Sequence, residues 1–110
     1  MTDILKTKDG KVIRANPSAG TVTITPAGSP YFVGECIHTI WADATDGPVE
    51  IHLPPPNGSG RRIRVMKVDE TTNRVEVKGK RVNGQASVIL SNSYEWGLFH
   101  DAGDDWFAFQ

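Results

Sequence analysis

Cys36 and His38 lie two residues apart. In a strand both side chains share one face, where a thiolate and an imidazole can act as nucleophile and base. The flanking sequence offers no nucleophile elbow, no helix start and no oxyanion donors. A small buried thiol beside a hydrogen-bonded histidine is the simpler reading. His100, Asp101, Asp104 and Asp105 gather cation-type ligands in one short segment. They lack the ligand run and terminal Glu of an EF-hand loop, and His38 and His52 add no zinc spacing. Gly103 among these aspartates suits a hairpin turn, so neither a metal nor another cofactor is expected. Arg61, Arg62, Arg64 and Lys67, with Lys78, Lys80 and Arg81, could contact phosphates. No aromatic residues interleave with them as a base-stacking platform would require. The glycine-rich Asn57–Arg61 lacks the P-loop pattern and no helix follows it. Trp41, Trp96 and Trp106 could stack on sugars, although Trp in a small β domain more often fills the core.

The elements that must position these residues are strands. Val, Ile and Thr supply 27 of the 110 residues, against four Leu and eight Ala; Gly contributes 11 and Pro 7. This inventory suits pleated strands broken by frequent turns and suits helices poorly. The length fits one domain with a modest core. No apolar run is long enough to span a membrane as a helix, and residues 1–20 carry no apolar signal segment. A single cysteine cannot build a disulfide framework and agrees with synthesis in a reducing cytoplasm. The net charge of −1 predicts no bulk attraction to nucleic acid or anionic lipid. Charge is unevenly placed: residues 1–30 sum to +2, 31–60 to −4, 61–81 to +5 and 82–110 to −4. Patches of opposite sign suit docking or subunit contact, and a solvated basic strand pair is the plainer alternative.

Residues 1–30 read as an N-terminal arm or small docking subdomain, and 31–110 as the β domain. Asp9-Gly10 between Ile4-Leu5 and Val12-Ile13 can close a hairpin. Thr21–Thr25 alternates as a strand, and the Pro26–Pro30 segment breaks it. In the body, strands are expected over Cys36–Ala42, Val49–Leu53, Arg62–Val68, Val75–Lys78, Ser87–Leu90, Tyr94–His100 and Trp106–Phe109. Gly79 and Asn83-Gly84 read as turns around a short Arg81-Val82 piece. Pro54-Pro55-Pro56 must interrupt sheet pairing. The expected fold is all-β: a compact sandwich or barrel of short antiparallel strands. Six of the nine aromatic residues fall in the last seventeen positions. The closing Trp106-Phe107-Ala108-Phe109 offers rings to both faces of a strand, which a homo-oligomer would cover.

The order of these pieces resembles a small β module of tailed-bacteriophage virion proteins, of head-decoration, head-fibre or tail-fibre-tip type. The matching residues are Ile40-Trp41-Ala42-Asp43-Ala44, Gly47 to Pro54, Gly60 to Asp69, Asn73 to Val77, Val82-Asn83-Gly84 and Trp106-Phe107, spread over about three-quarters of the chain. The pattern is one of strands and turns and carries no catalytic signature. The resemblance implies a structural virion protein rather than an enzyme, assembled as a homotrimer and located in the virion. Its partner would be the major capsid protein or another virion protein, with no membrane and no nucleic acid. Only a short segment precedes the module, an arrangement that favours a capsid decoration protein over a long fibre. Ile4, Leu5, Val12 and Ile13 are then expected to dock the arm on the capsid, and Trp96, Trp106, Phe107 and Phe109 to pack subunits together. The alternative is a tail-fibre or spike tip that binds a host-surface glycan through exposed aromatics and the 101–105 turn.

Overall fold

The computed structural model describes residues 3–6, 12–16, 20–83 and 85–109, with side chains described for 20–80, 82–83 and 85–109. Eleven strands follow one another: β1 (Asp3–Lys6), β2 (Val12–Asn16), β3 (Thr21–Ile24), β4 (Tyr31–Phe32), β5 (Thr39–Ala42), β6 (Val49–His52), β7 (Arg62–Lys67), β8 (Val75–Val82), β9 (Gln85–Leu90), β10 (Trp96–Asp101) and β11 (Trp106–Phe109). A 3₁₀ turn at Pro26–Gly28 is the only helical piece among the described residues.

The strands form two mixed sheets. The first runs β1-β2-β3-β5-β7-β10-β11; the second holds β4, β6, β8 and β9. A single residue pair, Trp106 opposite Val82, joins β11 to β8 and closes one side. The molecule is 23 Å along its shortest axis, the thickness of two sheets about 10 Å apart with their outer side chains.

The all-β expectation is met, and the antiparallel one only in part, because both sheets are mixed. At the centre, β3, β5 and β7 lie parallel, and so do β4, β6 and β8. From β3 to β8 the chain alternates between the sheets, so consecutive strands face each other across the core instead of pairing. The physical reason lies in the connections. Pro-rich segments such as Thr25–Pro30 and Leu53–Arg61 are too long and too stiff for two-residue hairpins, and they carry the chain over the sandwich edge. Antiparallel pairing is confined to the two ends. These are β1 with β2, β2 with β3, β10 with β7 and β11, and β8 with β9.

Alternation within each strand then fills the core. Val22, Ile40 and Val65 stack in register on three parallel strands, with Ile24 and Ala42 in the next row. Ile63 and Phe99 extend this layer. Val49, Ile51, Val75, Val77 and Leu90 face them from the second sheet. Val22 and Ile24, in the segment read as an arm, are thus buried with the body's own residues.

Local expectations differ in three places. The strand expected over Cys36–Ala42 begins only at Thr39, because Arg61 holds the preceding loop through the carbonyls of Gly34 and Ile37. Gly79 lies inside β8 rather than at a turn. A Cβ there would meet Val82 Cγ2 at 3.2 Å and the Trp106 ring at 3.4 Å, so glycine makes room for the buried indole. The strand expected over Tyr94–His100 begins at Trp96, because Tyr94 sits in the turn before it with a φ of 60°.

Candidate functional site

The outward side chains of β5, β7, β10 and β11 make one continuous surface. In β7 the alternation of Arg62, Arg64 and Met66 with buried Ile63, Val65 and Lys67 puts the first three outside. Register carries this across the sheet. Met66 lies between Trp41 on β5 and Trp96 on β10. Arg64 lies between Thr39 and Leu98, and Leu98 is opposite Phe109 on β11. Arg62 is opposite His100, which is opposite Phe107. Trp96, Phe107 and Phe109 are 44%, 46% and 57% exposed, high values for side chains of this size.

Two hollows indent this surface. Trp41, Arg64, Met66 and Trp96 line one of about 350 Å³. His38, Thr39, Arg62, Arg64 and Leu98 line a neighbour of about 340 Å³. The Arg64 guanidinium carbon lies 5.9 Å from the Trp96 ring centre, within cation–π range. Arg62 Nε faces His100 Nδ1 at 3.4 Å. The outward positions of β5, β7, β10 and β11 hold no carboxylate, so the positive charge of this face is not neutralised within it.

The second sheet presents a different outer face. Lys78 Nζ pairs with Glu50 at 2.6 Å, and His52 Nε2 is 2.8 Å from the same carboxylate. Lys78 first and His52 second hold the Glu50 carboxyl below its ordinary range, and Glu50 in turn raises Lys78. Exposed Phe32 stacks on the His52 ring at 4.6 Å. Here Glu50, Lys78 and His52 match their charges within the chain, while Phe32 keeps most of its surface exposed.

The residues singled out in the sequence fall into separate places. Cys36 and His38 are both exposed in the loop before β5, so the buried reading of the thiol is corrected. His38 Nδ1 meets Thr39 Oγ1 at 2.8 Å. Lys67, grouped above with the phosphate candidates, is fully buried and bonded to Asp69 and the Thr71 carbonyl. Arg61 staples a loop.

Asp101 is buried. It accepts hydrogen bonds from the backbone N–H groups of Asn57, Gly58 and Gly103 and from the Ser59 hydroxyl. Burial raises its carboxyl, but these donors outweigh burial and hold it below the usual range. The acidic turn is therefore a knot that fastens the loop after the three prolines to the β10–β11 hairpin. Among the described residues, no group of three or more His, Cys, Asp or Glu is placed to hold a metal ion.

Trp106 is fully buried in the chain's own core, where its Nε1–H donates to the Pro54 carbonyl at 2.9 Å. Phe107 and Phe109 point outward from the same strand, and Trp96 borders the larger hollow. Ile4 and Leu5 on β1 lie opposite Arg14 and Ile13, and Lys6 lies opposite Val12, as the hairpin reading requires. Their side chains lie outside the described residues.

The sequence reading missed how Arg64 and Met66 join Trp41 and Trp96. The alternation of β7 was visible, but the register that aligns β5 parallel and β10 antiparallel to β7 was not. No protein-family model, curated protein or solved structure matches this chain.

Proposed function

We propose that this chain is a structural protein of a tailed-phage virion, one that decorates and stabilises the capsid as a homotrimer. The observation that carries this reading is the terminal strand β11. It buries Trp106 in its own core while holding Phe107 and Phe109, both about half exposed, on the outer face. A protein that remained alone would have little reason to keep two phenyl rings there. Two sheets joined along one side around a continuous apolar core fit a shell component that needs no disulfide. The sequence resemblance supplies the phage setting. The hairpin β1–β2 extends the first sheet at its far end and is the segment proposed to dock on the capsid.

Sedimentation at micromolar concentration tests the subunit contact. A trimer is expected for the wild type, with dissociation in the double variant Phe107→Ser, Phe109→Ser. A wild-type monomer would overturn the trimer. Co-sedimentation with capsids tests the docking hairpin: a chain lacking residues 1–19 should stay folded and lose capsid binding.

A second reading, a fibre or spike tip that binds a host-surface glycan, is favoured by the hollow between Trp41 and Trp96.

A further inference from the structure

We propose that the hollow between Trp41 and Trp96 binds a carboxylated sugar, with the indoles stacking on the pyranose faces and Arg64 taking the carboxylate. The inference rests on the second reading above and names its ligand class and its residues. Trp41 and Trp96 are each one strand from Met66 at the same register. Their attachment points are therefore about 9–10 Å apart, two strand spacings. Met66 floors the gap with a flexible apolar side chain. Two indoles at that separation can engage two rings of one oligosaccharide.

Charge selects the acid. Arg64 is exposed, has no carboxylate partner among the described residues, and is steadied over Trp96. A guanidinium so placed offers a planar pair of donors, which matches a carboxylate bidentately. Arg62 lies two positions along the same strand and adds to the field without lining this hollow.

A second copy of the chain fits worse. Face-to-face pairing of this sheet would bring together two faces that both carry Arg62 and Arg64 at outward positions and offer no carboxylate there to pair them. Phe107 and Phe109 lie on β11, across β10 from Met66 and Trp41, so a subunit contact there borders the hollow at Trp96 and leaves Trp41 and Met66 on its far side. A nucleic-acid strand would need cations tracking its backbone over several nucleotides, and of the outward Lys and Arg on β5, β7, β10 and β11 there are only Arg62 and Arg64, both on one strand.

Tryptophan fluorescence titration of the full chain tests the site. The probes are hexamers of mannuronate and galacturonate and a trimer of sialic acid, each beside a neutral oligosaccharide of equal length. At least one acidic probe should quench saturably and bind about tenfold tighter than its neutral counterpart. Arg64→Gln should bring the acidic probe down to the neutral one. Trp96→Ala should abolish both, and Arg74→Gln, just before β8, should change neither. Saturable binding by none of the acidic probes, or equal binding of acid and neutral in the wild type, would overturn the proposal. If Trp96→Ala instead dissociates the oligomer and no sugar binds, the hollow is a subunit contact and the proposal fails. Capsid co-sedimentation is a separate measurement, and its failure leaves the titration standing.

Discussion

A lysine with no exposed surface needs a reason, and Lys67 has one. Its ammonium bonds to Asp69 Oδ2 and to the Thr71 carbonyl. Asp69 also accepts the Ala44 N–H at 2.8 Å and the Thr71 N–H at 2.9 Å. Burial raises the Asp69 carboxyl, but the Lys67 and Thr71 bonds and the two backbone donors outweigh it and hold it far below the usual carboxylate range. Removing the cation alone leaves that carboxylate buried and unpaired. Lys67→Met is expected to cost about 3–5 kcal/mol, read as a lowered urea midpoint at pH 7. Lys67→Met with Asp69→Asn should recover part of the loss. Asp101 is held by N–H donors, so Asp101→Asn turns an amide toward some of them and should cost about 1–3 kcal/mol. Both folded carboxyls lie below their unfolded values. Their stabilisation is therefore fully present above about pH 5 and is lost as pH falls through about 4 and below. Acid unfolding should be steep in the wild type and flatter in Asp101→Asn. The bonds of Lys67 were not legible in the sequence. Lys67 reads there as one more cation in a basic run, and only its inward position on β7 beside the Asp69 turn separates it from Arg62 and Arg64.

At the scale of elements, the stacked parallel strands carry the fold. Ile40 is central, with Val22 on one side and Val65 on the other. Ile40→Ala is expected to destabilise by about 2–5 kcal/mol in urea unfolding, because the flanking strands hydrogen-bond to β5 and cannot collapse into the space. The entry to β3 is as constrained. Gly20 has a φ of +71°, and a Cβ there would come within 2.4 Å of the His38 ring and 2.8 Å of the Cys36 carbonyl. Gly20 also accepts from the N–H groups of His38 and Thr39, which aligns β5 beside β3. Gly20→Ala should therefore lower the urea midpoint as much as a core truncation does, by a mechanism of backbone strain. Strand faces were legible at this scale. Val49, Ile51 and Leu53 against Glu50 and His52, or Ile63 and Val65 against Arg62 and Arg64, show which side is buried. Pairing partners were not legible, because period-two alternation looks the same whichever neighbour a strand takes.

For the whole molecule, the two outer faces differ in how far they are finished. On the second sheet's face Glu50 pairs with Lys78 and His52, and Phe32 stacks on His52 while staying exposed. The first sheet's face leaves rings and guanidinium groups turned to solvent. Removing residues 1–19 is expected to leave the thermal transition of the body cooperative, since Val22 and Ile24 stay in place. Removing residues 1–30 would strip β3 from the core and should abolish that transition. Circular dichroism melts of the two truncations check both outcomes.

The sequence by itself determined that the chain is all-β, where most strands lie and which of their faces is apolar, because alternation and turn residues are local properties. The tertiary structure decided three further matters. It made the central pairings parallel, because connections of six to nine residues, several of them stiffened by proline, carry the chain from sheet to sheet. It buried Lys67 and Trp106, since inward register and not residue type sets burial. It also brought Trp41, Arg64, Met66 and Trp96 onto one surface, and no spacing along the chain encodes the alignment of three strands.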